Sequence, residues 1–325
     1  MDFRTPISVS PMPLKLGYEH KVLLVGSCFA VSIAERLQRL KFAAMSNPFG
    51  VLYNPVSVAQ SLLRMAEKRL LTASDLRYGH GLWFSHTHHS RFAHPDRDEC
   101  LRRINESIFR GAWGLKTADL LIVTLGASWV YRLRETGEVA ACCHKMPDRE
   151  FERCFLSPSE TAAALCDMVR RARSKNPSVH VIFTVSPIRH WKDGAHGNQL
   201  SKAALLLAVE QTLQKTENAS YFPAYEIMHD ELRDYRFYAG DMLHPSEVAV
   251  EYIWEKFAQA AFSESAMKTM DEVKQLLAAK AHRPLNRDTP EYRNFLKAQQ
   301  QHLLQLKQRL PHLDWTHEEA FFAKY

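Results

Sequence analysis

Two largely apolar runs, Leu120–Leu125 and Val179–Val185, and a third, Val22–Val25, that stops at Gly26-Ser27, constrain this chain more than any other feature. Strands read this way when both of their faces are covered. Around them lie stretches of helical periodicity over 29–41, 55–69, 158–174 and 198–216, with a more polar one over 96–110. A short extended piece over 42–46 and a last strand at Tyr221–Tyr225 complete the series. Strands alternating with helices predict a parallel sheet covered by helices on both sides, a three-layer α/β/α arrangement.

At the end of the first run, helical spacing begins at once through Ile33, Leu37 and Leu40. Ser27 therefore falls at the carboxyl end of a strand, where α/β proteins place their ligands. It also falls beside the free N–H groups of a helix N-terminus, which favour negative charge. Serine is equally a preferred helix N-cap, so this segment alone leaves nucleophile and cap both open. Cys28 is a rival nucleophile favoured by the same helix terminus, but one residue further on its side chain points elsewhere. Near the far end the chain reads Asp241-Met242-Leu243-His244-Pro245. Proline favours a first helical turn and keeps the residue before it out of helical geometry. That predicts His244 at the mouth of a helix carrying Val250, Ile253, Trp254 and Phe257. Asp241 can fold back on the imidazole from the same turn, fix its tautomer and stabilise the imidazolium, as the third member of a hydrolytic triad does.

Composition narrows the class. The chain has 325 residues, 46% hydrophobic and 24% charged, which suits one large domain or a domain with an appendage. No apolar run approaches the ~20 residues of a membrane span, and the first residues, with Asp2 and several prolines, lack the apolar core of a secretory signal. Six cysteines (Cys28, Cys100, Cys142, Cys143, Cys154 and Cys166) follow no disulfide or metal spacing, which predicts reduced thiols in a cytoplasmic protein. The net charge of +6 is spread along the chain, without the dense basic block of a nucleic-acid binder.

GSCFA at 26–30 and DMLHP at 241–245 resemble the first and last blocks of the GSCFA-domain family, a branch of the SGNH (GDSL-like) hydrolases. NPFG at 47–50 with LYNP at 52–55, TLGASWVY at 124–131 and Cys143-His144-Lys145 are similar to further family signatures. So are TVSPIRHWKDGAHGNQLSKA at 184–203 and YFPAYEIMHDELRDYRFY at 221–238. The resemblance implies a flavodoxin-like α/β/α fold and an SGNH-type serine acyl hydrolase, an esterase or deacetylase acting on a carbohydrate or other small ester, with no cofactor. An acyltransferase using the same groups and a non-catalytic binding protein on the same fold are the alternatives. The resemblance assigns Ser27 as nucleophile, His244 as general base and Asp241 as its orienting carboxylate. The N–H groups of Ser27 and Gly50 are the expected oxyanion-hole donors. The wider superfamily carries an Asn two residues after a glycine in its third block, where this chain has Ser128 after Gly126. Gly126 or Ser128 then substitutes, or Asn47 or Asn54 reaches in from the preceding loop. In a flavodoxin-like order the first and fifth strands end about 14 Å apart, at ~4.8 Å per strand. The loop before His244 therefore has to fold back over the sheet.

His144, Arg189, His190 and Lys192 are candidate substrate-binding groups, the last three suited to an anionic or sugar-like moiety, with pairing of Arg189 to a nearby carboxylate as the alternative. His86, His88 and His89 alternate as if two share a strand face, and with His144, His190 and His244 they raise the question of a metal. No carboxylate or thiolate stands at ligand spacing, so none is expected. Trp129–Leu133 and Glu138–Cys143 flank Thr136-Gly137 and read as a β-hairpin insertion. Helices over 266–282 and 290–310 form a C-terminal hairpin. The expected organisation is a hydrolase domain over 1–263 and an extension over 264–325 that packs on the core or on a second copy of the chain.

Overall fold

In the computed structural model, which describes residues 5–286 and 288–323, the apolar runs form the middle of a five-stranded parallel sheet. Its strands are β1 (Lys21–Gly26), β2 (Ala43–Ser46), β5 (Leu120–Leu125), β9 (His180–Val185) and β10 (Ala219–Tyr221). Their order is β2-β1-β5-β9-β10, the flavodoxin-like arrangement. Two small antiparallel sheets lie outside it: β3 (Arg77–Gly79) with β4 (Leu82–Phe84), and β6 (Trp129–Leu133) between β7 (Val139–Ala140) and β8 (Phe151–Phe155).

The pleat sorts the strand residues between two helical layers. Val22, Leu24, Leu120, Ile122 and Ile182 share a core with α1 (Cys28–Arg39), α7 (Glu247–Ala261), α8 (Glu264–Ala281) and α9 (Pro290–Arg309). Leu23, Val25, Leu121, Val123, Phe183 and Val185 face α2 (Pro55–Glu67), α3 (Arg97–Thr117), α4 (Pro158–Lys175) and α5 (Gly194–Leu213). Helix starts follow local chemistry: Asn54 caps α2 ahead of Pro55, and Ser157 with Glu160 forms a capping box around Pro158 at α4.

Three local expectations need correction, and one hairpin lies where no element was expected. The last sheet strand is Ala219–Tyr221, because the chain then passes Pro223 into the one-turn α6 (Ala224–Glu226) and a π-helical turn over Ile227–Glu231. The hairpin insertion gains a third strand, β8, on the free edge of β6. A second hairpin turns at His80-Gly81, whose φ angles of 52° and 78° fit a tight turn. The tail has a third helix, α10 (Thr316–Phe322), and helices α8–α10 pack on the chain's own core through Met270, Val273, Leu276, Leu296, Leu303, Leu306 and Phe322. Glu318 anchors α10 from a buried position, accepting from Lys41 Nζ at 2.6 Å and Lys280 Nζ at 3.1 Å. Burial opposes its ionisation, but the two lysine contacts outweigh that and hold the carboxyl below its usual range. Among the described residues no helix is long and apolar enough to cross a membrane.

Candidate active site

The carboxyl ends of β1, β5 and β9 meet several loops at one edge of the sheet. β1 ends in Gly26, with φ 127°, where a Cβ would stand 2.0 Å from the Thr124 carbonyl oxygen. Only glycine tolerates that backbone in that space. Ser27 follows at the N-cap position of α1, yet its side chain makes no capping hydrogen bond. The residue is 1% exposed, and its Oγ has no hydrogen-bond partner among the described residues. Leaving a buried hydroxyl unpaired costs ~1–3 kcal/mol, so this serine is held in place by the turn and not by what its hydroxyl binds.

Neighbouring polar groups share that condition. Asn47, with φ 44°, accepts the Gly26 N–H on Oδ1 at 2.8 Å, which fixes the orientation of its amide. Its buried Nδ2 has no partner among the described residues, and neither do the hydroxyls of Thr124 and Thr184. Gly26, Thr124 and Thr184 lie in register across β1, β5 and β9.

Asp241 and His244 form a pair in the turn before α7. Asp241 Oδ1 accepts the N–H of His244 at 2.9 Å and of Leu243 at 3.0 Å, and Oδ2 lies 2.5 Å from His244 Nδ1. These bonds, the His244 N–H foremost, pull the Asp241 carboxyl down to about 2. Both side chains are roughly half exposed. Among the described residues no hydrogen bond joins Ser27 to His244, so the structure presents the carboxylate–imidazole pair and the serine separately. Cys28 is partly buried, and burial pushes its thiol up, which disfavours the thiolate.

Arg189 and His190 stand on the same edge. Arg189 forms no ion pair among the described residues, and its buried Nε is without a partner. It lines a cleft of about 510 Å³ with Trp191, Arg233, Tyr235, Tyr238 and Asp241. The His190 ring meets Tyr53 edge-on at 4.9 Å; burial, with Lys202 and His244 adding to it, lowers its pKa to about 4. Lys202, from α5, was not among the expected site residues. It is 1% exposed and donates to the carbonyls of Gly126 and Ser186, both at 2.8 Å, just beyond β5 and β9.

A profile of the GSCFA family matches residues 21–257, and one of the GSCFA domain protein C-terminal domain matches residues 273–325. The chain belongs to the GSCFA family. Solved structures similar to this GSCFA chain include a carbohydrate esterase family 3 from Talaromyces cellulolyticus, 10% identical with a TM-score of 0.39, covering 79% of this chain and 99% of that one. Another is an acetyl xylan esterase from the rumen bacterium Butyrivibrio proteoclasticus, 11% identical with a TM-score of 0.40, covering 75% and 64%. What those enzymes act on is a property of theirs. No curated protein matched the chain by sequence.

In this GSCFA protein the expected oxyanion donors are engaged elsewhere. The Ser27 N–H donates to Thr124 O at 3.0 Å, Gly50 N–H to Asn47 O at 2.8 Å and Gly126 N–H to Tyr53 O at 2.7 Å. Ser128 Oγ donates to Ser201 O at 3.0 Å, and its N–H to Ser201 Oγ at 2.7 Å. The loops at this edge are stitched to one another by the groups that were expected to face a ligand. Asn54 is likewise occupied as the α2 cap, and Lys192 Nζ donates to the Tyr131 hydroxyl at 2.6 Å. His144 Nε2 contacts the carbonyls of Ser85 and His88 at 3.0 and 3.1 Å. Residues 86–89 form a loop and not a strand; His86 Nδ1 meets Cys142 O at 2.9 Å, and His88 is buried against Phe49 with its pKa lowered to about 3 by burial. Among the described residues no three His, Cys, Asp or Glu side chains are grouped to hold a metal ion.

Proposed function

We propose that this protein is a serine acyl hydrolase, an esterase or deacetylase of a carbohydrate or other small ester, with Ser27 as nucleophile, His244 as general base and Asp241 as its orienting carboxylate. The observation that carries this reading is the buried, unpartnered Ser27 hydroxyl at a glycine-enforced strand-to-helix turn. The preset Asp241–His244 pair supports it, because a carboxylate on Nδ1 leaves the lone pair on Nε2.

Ser27 Oγ adds to the acyl carbonyl carbon while His244 Nε2 takes its proton, and the carbonyl oxygen takes the negative charge. Collapse expels the alcohol, which receives that proton, and leaves Ser27 acylated. Water repeats the sequence, releasing the acid and restoring the serine. Base catalysis of this kind contributes about 10²–10⁴-fold. The reading requires the turn around Gly240, which has open space about it, to close over the sheet edge when substrate binds. In this reading Asn47 Nδ2, one of two buried side-chain amides without a partner among the described residues, donates to the oxyanion, and Arg189 with the aromatic cleft it lines, together with His190, holds the leaving group. The six free thiols support a reducing, cytoplasmic setting.

An acyltransferase follows from the same steps with a hydroxyl acceptor replacing water. The binding-protein alternative draws on the committed backbone donors and the separate Ser27 and His244. Acetate release from p-nitrophenyl acetate and acetylated sugars decides among the three. Release by the wild type and not by Ser27→Ala is the expected result, product only with an added hydroxyl acceptor identifies a transferase, and no turnover of either kind contradicts the catalytic reading.

A further inference from the structure

Lys202 is a buried charge that interacts electrostatically with Cys28, the residue after Ser27. Among the described residues no carboxylate pairs with it. The groups that face it are Cys28 from α1, the Tyr225 ring at 5.6 Å from α6, and Arg189, His190 and His229 from the segments that follow β9 and α6. Two of its three protons go to the carbonyls of Gly126 and Ser186. Burying an ammonium without a counter-charge is strongly unfavourable. A negative charge forming close by offsets that cost only while it exists, which is how a preorganised cation favours a transition state over a ground state. The site has need of one, since the backbone donors expected for the oxyanion are committed to other carbonyls.

We propose that Lys202 is a positioning residue of the Ser27 site, clamping the ends of β5 and β9 together and holding a buried positive charge beneath the turn where the oxyanion forms. This inference rests on the serine-hydrolase reading above. Burial lowers the Lys202 pKa to about 7, so the cation is present below that pH and lost above it.

The test is the rate of Ser27 labelling by a fluorophosphonate, with kcat and KM for p-nitrophenyl acetate, followed across the neutral pH range in the wild type and in Lys202→Met. In the wild type both rates should fall as pH rises through about 7. Lys202→Met should lower kcat by on the order of 10²–10³ with little change in KM, and should abolish the alkaline fall. A clamp without an electrostatic role would reduce the amount of folded enzyme and leave the pH profile of the remainder intact, which overturns the proposal. Should Lys202→Met not fold, the wild-type profile decides: labelling of Ser27 at a rate that stays flat above neutrality removes the role of Lys202 while leaving Ser27 as nucleophile. Absence of any Ser27 labelling removes both.

Discussion

Glu318 in the docked tail and Lys202 at the sheet edge are buried almost equally, at 2% and 1% exposed, yet their surroundings are opposite. Glu318 is met by two lysines. Lys202 is met by two neutral carbonyls, with an unpartnered Ser27 hydroxyl and Asn47 amide on the same edge of the sheet. The tail spends its polar groups on holding α10 to α8 and to the turn that follows α1, whereas the edge of the sheet keeps several in reserve. Paired burial is what a chain builds for stability; unpaired burial is completed by ordered water or by a ligand.

That contrast can be broken from either side. The largest effect should come from Ser27→Ala, with loss of kcat on the order of 10⁶-fold and a melting temperature that rises, because an unpaired buried hydroxyl is removed, measured by ester turnover and calorimetry. His244→Ala should match it, because nucleophile and base act as one unit. Asp241→Asn should cost on the order of 10⁴-fold, since the imidazole loses its tautomer anchor while the fold is kept.

Glu318→Gln should do the reverse. It should cost about 2–3 kcal/mol in denaturant unfolding, because Lys41 and Lys280 lose their charged acceptor, and leave kcat unchanged at permissive temperature. The smallest effect is its pH dependence. A carboxylate held below its usual range contributes stability that is fully present above the unfolded value, ~4.3, and is lost as pH falls through the folded one. The gap in stability between wild type and Glu318→Gln should therefore narrow on acidification. A gap that widens would show that the carboxylate is not the paired form at neutral pH.

Much of the fold was legible because it rests on local pattern. The limits of β5 coincide with its apolar run and those of β1 exceed its run by one residue at each end, and α2 and α4 start at their caps and prolines. What escaped depends on pairing over distance: β8 carries Glu152 and Arg153 and becomes a strand by meeting β6. At the candidate site, residue types were readable and hydrogen-bond commitments were not. Gly50 and Gly126 read as free backbone donors, but whether an N–H is spent depends on which loop closes over it, as Tyr53 does over Gly126. Lys202 did leave a signal. It lies on one helical stripe of α5 with Asn198, Leu205 and Val209, all buried, so a lysine there points at the core and not at water.

The central claim is that Ser27 carries an uncommitted hydroxyl at the chemical centre of the molecule. Mass spectrometry of the intact protein after fluorophosphonate treatment, followed by peptide mapping, addresses it most directly. A single adduct on Ser27 that disappears in Ser27→Ala, and that slows in His244→Ala, is the predicted result. An unmodified protein, or an adduct on Cys28 or another residue that survives Ser27→Ala, would contradict the account.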